Sequence, residues 1–102
     1  MLTWMDHYLI DEEIKNPEKV RKKIDSGKLT GIYLITLSSN QDNMLEIYAA
    51  DLLKMKAQRD LCQPIVGIAK NRDNAIEMIV RILEESLQTE YAADLVNYLK
   101  NR

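Results

Sequence analysis

With 102 residues, 46% apolar and 29% charged, the chain fits one α/β-sized domain spanning 1–102 and is too apolar for a disordered segment. Fourteen basic residues stand against sixteen acidic ones, and the formal charge of −2 supplies no long-range field for nucleic acid or anionic lipid. No window approaches the roughly 18 apolar residues of a membrane span. The single cysteine, Cys62, excludes an intrachain disulfide and a multi-cysteine metal site.

The opening residues, MLTWMDHYLI, carry an acid early and lack both a basic start and a long apolar run. No secretory signal is expected, and a reducing, cytoplasmic setting follows as the default. Residues 3–14 place Trp4, Met5, Tyr8 and Leu9 at helical spacing behind Thr3, whereas Tyr8-Leu9-Ile10 also suits a short edge strand; both readings stay open.

In NPEKVRKKIDSGK, Asn16 is a good N-cap residue, Pro17 suits the first helical position and Glu18 sits at the positive end of the helix dipole. Lys22 and Lys23 fit the last turns and Gly27 a left-handed terminus, so a short surface helix is expected with Val20 and Ile24 inward. Glu18 and Asp25 interrupt the basic cluster Lys19, Arg21, Lys22 and Lys23, and no aromatic is interleaved. It is read as a solvated helix face rather than a phosphate site.

After Gly31, the run IYLITL reads as a strand covered on both faces. Residues 43–55, with Met44, Leu45, Ile47, Tyr48 and Leu52, are expected to form an amphipathic helix, followed by a basic, irregular connection. Pro64 then opens a second apolar strand, IVGIA, in which Gly67 suggests a close backbone approach. From Asp73, the spacing of Ala75, Ile76, Ile79, Val80, Leu83 and Leu87 predicts a helix. A break near Gln88-Thr89 is expected before YAADLVNYL, with one helix over 74–100 as the alternative.

The expected fold is therefore α/β: a small βαβα unit with a parallel strand pair, flanked by N- and C-terminal helices. Two strands make a very small sheet with open edges, so either the N-terminal residues supply a third strand or a second copy covers an edge. The apolar stripes exceed what such a sheet buries. Homodimerisation is the preferred remedy, with Leu52, Ile79, Leu83 and Leu95 as interface candidates.

One stretch echoes another. NQDNMLEI at 40–47 returns as NRDNAIEM at 71–78, with Asn40/Asn71, Asp42/Asp73, Asn43/Asn74 and Glu46/Glu77 identical. Both copies are expected at strand-to-helix joints, where Asn caps and Asp meets the helix dipole without any ligand. The alternative is a small-molecule or nucleotide site beyond the strand ends, at residues 38–43 and 70–74, formed by Ser39, Asn40, Lys70, Asn71 and Arg72. Against it, neither turn has the glycines of a phosphate loop, and Asp42 and Asp73 would repel an anion. Those two aspartates lack a third ligand for a metal, so no metal or cofactor is expected.

The catalytic inventory is poor. His7 is the only histidine, Cys62 lacks an evident base, and no serine lies in G-x-S-x-G; no catalytic residue is nominated. Trp4 and the tyrosines at 8, 33, 48, 91 and 98 are scattered, unlike the clustered aromatics of an RNA platform. Tyr91, Leu95, Tyr98 and Leu99 are read as core or dimer packing. Through YLITL, NQDNMLEI, IVGIAK and RDNAIEMIVRILEE, residues 31–87 resemble a group of small bacterial proteins to which no function is assigned. In that group an IVGIAKG-type segment precedes an acidic helix, and here Asn71 stands where its glycine is expected. The resemblance bears on the fold boundaries and supplies no activity or functional residue to carry over. Composition and patterning together favour a cytoplasmic protein acting through homodimerisation or binding to another protein.

Overall fold

The computed structural model describes residues 2–28, 30–38, 45–91 and 94–101. Its elements in chain order are β1 (Trp4–Ile10), α1 (Pro17–Asp25), β2 (Tyr33–Leu37), β3 (Leu45–Ala49), a 3-10 helix (Ala50–Lys54), α2 (Lys56–Leu61), β4 (Ile65–Ala69), α3 (Arg72–Leu87) and α4 (Leu95–Lys100). The four strands form one sheet in the order β1-β4-β2-β3, with β1 parallel to β4 and β2 antiparallel to both its neighbours.

Strand alternation divides the core in two. Leu34 and Ile68 point to one face, where Ile24 of α1 and Ala50 and Leu53 of the 3-10 helix complete a first core. Ile35 and Val66 point to the other, against Ala75, Met78 and Ile82 of α3 and Leu95, Tyr98 and Leu99 of α4. All five residues of β4 are buried, as a central strand covered on both faces requires. Gly67 answers to its expected role. A Cβ there would stand 3.3 Å from the Leu9 carbonyl oxygen, tighter than an ordinary contact, so the missing side chain lets β1 and β4 lie close.

The α/β class and the parallel pair stand, but the pair is not the two apolar runs read from the sequence. β2 and β4 are antiparallel, and β4 takes its parallel partner from residues 4–10, the edge strand that the helical spacing of Trp4 to Leu9 had obscured. Nor is 43–55 one helix. Leu45–Ala49 is a strand paired with β2 from Leu37↔Leu45 to Tyr33↔Ala49, and only Ala50–Lys54 turns helically. Five residues satisfy either period, and the free edge of β2 decides between them. The basic connection after Lys54 carries the helical turn α2.

Helix α1 forms as expected. Pro17 opens it, and Gly27, at φ 74°, closes it while Lys28 N–H donates to the Lys23 carbonyl and Gly27 N–H to that of Ile24. Its Asn16 makes no side-chain capping bond. The chain after α3 breaks where expected, but the second helix starts behind Asp94 rather than Thr89. The Asp94 carboxylate accepts Asn97 N–H, which gives the first turn a capping acceptor.

Candidate functional site

The turn that follows β4 is where a ligand is expected, since β1 and β4 are parallel and both end there. Asp11, the first residue after β1, controls it. Only 8% exposed, it accepts hydrogen bonds from Lys70 N–H (2.9 Å), Glu13 N–H (3.1 Å) and the Asn74 side-chain amide (2.7 Å). Burial pushes its carboxyl up; the Lys70 and Glu13 amides, Asn74 and the Lys70 charge outweigh this and hold it below the usual carboxylate value. Asn74 also donates to Glu13. Asn71 caps α3 by accepting Asn74 N–H at 2.8 Å, and Asp73 lies in the first turn.

A cleft of about 310 Å³ opens beside this turn, between the end of β1 and α3. Asp11, Glu13, Glu77 and Glu85 line it, with Arg81 as its cation. Such a wall repels phosphate, and of the amides at this turn Lys70 N–H is already taken by Asp11 and Asn74 N–H by Asn71. Among the described residues, no group of three or more His, Cys, Asp or Glu side chains is placed to hold a metal ion.

Of the expected ligand-site residues, the described ones, Lys70, Asn71 and Arg72, lie together at the turn after β4. Because β2 and β4 are antiparallel, with Tyr33 beside Ala69 and Thr36 beside Ile65, Ser38 and Lys70 lie at opposite ends of the sheet. Across a five-residue strand that distance is roughly 15 Å. Ser39 and Asn40 fall outside the described residues, while Lys70, Asn71 and Arg72 are exposed. The two copies of the echo also differ: 71–78 caps and begins a helix, whereas Leu45–Ile47 of the first copy lie in a strand. The joint reading holds for the second copy. Asp11 escaped notice because its partners Lys70 and Asn74 are 59 and 63 positions away.

The remaining candidates are structural. Tyr48 OH and Cys62 Sγ lie 2.6 Å apart, half-buried, and burial raises the pKa of both, which leaves a protonated, poorly nucleophilic thiol. In the basic cluster, Arg21 stacks over Trp4 (4.7 Å) and Tyr8 (5.3 Å) and pairs with Asp25, which accepts the Trp4 indole N–H. His7 is exposed, at φ 57°.

The outer side of α3 is a feature without an internal explanation. Ile76, Val80, Leu83 and Leu87 are 42%, 47%, 37% and 67% exposed, although Ala75, Met78, Ile82 and Ser86 already bury the helix's core-facing side. At 100° per residue the four exposed side chains form a stripe about 60° wide. Asn74, Met78, Arg81, Ile82 and Glu85 face the cleft beside β1, and Glu85 accepts the Tyr98 hydroxyl of α4. The stripe therefore looks the other way, toward β3. Of the four expected interface residues, Leu83 belongs to it and Leu52 is exposed on the 3-10 helix. Ile79 is half-buried against the second core, and Leu95 lies inside that core at 5% exposure, so its apolar character is spent within the fold.

No family model, curated protein or solved structure matches the chain. Among the described residues, no helix is long and apolar enough to cross a membrane.

Proposed function

We propose that this chain is a non-enzymatic, cytoplasmic α/β protein that works by self-association, with the outer side of α3 as its contact surface. One observation carries the reading: Ile76, Val80, Leu83 and Leu87 keep an apolar stripe in water on a helix whose core side is already filled. By their exposed fractions these side chains present roughly 350–400 Å² of apolar surface, within the range of the largest patch on a typical monomer, which is often functional. Their 4-3-4 spacing is that of helices packing side by side. A half-buried free Cys62 suits a reducing compartment.

Sedimentation equilibrium from about 1 to 100 μM tests the reading, a range in which a specific dimer associates. A species of twice the 11.8 kDa chain mass is expected. Val80→Glu with Leu83→Glu should turn it into a monomer with an unchanged circular dichroism spectrum. A wild-type chain that stays monomeric throughout would sink the proposal.

A further inference from the structure

The two edges of the sheet are built differently. At the β1 edge the register breaks between Trp4 and Leu9, and His7 turns into the left-handed region, so no regular ladder is offered to another strand. At the β3 edge, Leu45–Ala49 pairs with β2 in unbroken register through all five residues, with no proline and one charge, Glu46. An edge of this kind is a template for a further strand. Helix α3, which carries the apolar stripe on its outer side, packs over β2, β3 and β4.

We infer that a second copy of this chain occupies that edge, β3 pairing antiparallel with its own copy to make one eight-stranded sheet while the two α3 stripes meet above it. The inference rests on the self-association reading and specifies its geometry. A two-fold axis normal to the sheet sets β3 antiparallel to β3 and α3 antiparallel to α3 in one operation, so a single patch meets itself. A stable interface needs about 800 Å² per partner; the stripe supplies roughly half, and the partly exposed β3 edge, about 17 Å long, adds to it.

Charge selects the register. Centring the axis on Glu46 would set two carboxylates opposite each other, which is destabilising. Centring it on Ile47 puts Ile47 against its copy, Leu45 against Ala49 and Glu46 against Tyr48. Leu45 and Ile47 pack on the second core, which then runs unbroken through the dimer. Antiparallel helices also bring exposed Arg72, at the start of α3, toward the carbonyl end of the partner helix, where a cation is favourable.

Cysteine crosslinking reads this register directly, in a Cys62→Ser background that removes the native thiol. Ile47→Cys sits on the axis, with its two Cα atoms within disulfide reach at about 5 Å. Leu45→Cys places its copies about 13 Å apart along the strands. Mild oxidation should crosslink Ile47→Cys at least ten times faster than Leu45→Cys. Equal rates, or an Ile47→Cys chain that sediments as a dimer without crosslinking, would overturn the strand pairing and leave self-association standing; a monomer that does not crosslink removes both. Should the variants not fold, amide exchange on the wild-type chain decides. β3 protection that rises with protein concentration supports the pairing, and protection independent of concentration refutes it.

Discussion

Toward β1, helix α3 is held by directed contacts: Asn74 reaches Asp11 and Glu13, Glu85 accepts the Tyr98 hydroxyl, and Met78 and Ile82 enter the second core. Toward β3 the same helix shows Ile76, Val80, Leu83 and Leu87. Sixteen residues thus divide between a side packed within the domain and a side whose apolar residues the domain leaves exposed. A helix that served only its own domain would carry Lys, Glu or Gln on that second side, since these form helices well and need no burial.

Truncation on the two sides should separate them most widely. Ile82, 3% exposed beneath the helix, leaves a cavity when replaced, and Ile82→Ala should lose about 2–5 kcal/mol in urea unfolding. Leu87, 67% exposed, should change the stability of the isolated chain by less than about 0.5 kcal/mol as Leu87→Ala. Its effect should appear in association instead, as a weaker dimer in sedimentation. If both truncations cost the same at micromolar and at nanomolar concentration, the division of the helix into a filled and an open side is wrong.

The polar contacts of the closed side come next in size. Asp11→Ala strips the Lys70 amide and the Asn74 side chain of their acceptor and should cost about 1–3 kcal/mol at neutral pH. The pH dependence has a defined sign. Although burial opposes it, the Asp11 carboxyl is held below its ordinary value by the amides around it. Its contribution is therefore fully present above the unfolded-state pKa, near 4, and is lost as pH falls through the lower folded-state value. Unfolding at several pH values should show wild type and Asp11→Asn converging as the solution is acidified below about pH 4. A gap that widens toward acid would mean that the carboxylate is not the stabilising form.

How much of this was readable beforehand follows the range of the interactions. The helix of Pro17–Asp25, the strand after Pro64 and the start of α3 rest on neighbours within four residues, and local spacing announces them. The stripe on α3 was visible for the same reason, as apolar residues in excess of any small sheet. Strand partnership is another matter. Nothing local tells Ile65–Ala69 to run parallel to Trp4–Ile10, or tells Leu45–Ala49 to leave a helical pattern for the edge of β2. Asp11 was invisible on the same ground, and Leu95 shows the converse error. An apolar residue in a short terminal helix looked like spare surface until α4 folded onto the second core.

The smallest difference is between two asparagines that look alike in the sequence. Asn16 and Asn71 each precede a helix, but only Asn71 uses its side chain, accepting Asn74 N–H, while Asn16 has φ −130° and ψ 72° and makes no such bond. Asn71→Ala should therefore lower stability by about 1 kcal/mol, and Asn16→Ala by much less. The comparison also bears on the turn beyond β4. Asn74 offers its backbone amide to Asn71 and its side chain to Asp11 and Glu13, so removing the Asn71 cap frees one amide of a residue that stays anchored from the other side. The two losses together should then exceed additivity. Asn71→Ala is expected to cost more in an Asp11→Ala background than in wild type, by an interaction energy of at least about 0.5 kcal/mol, as contacts sharing one residue require.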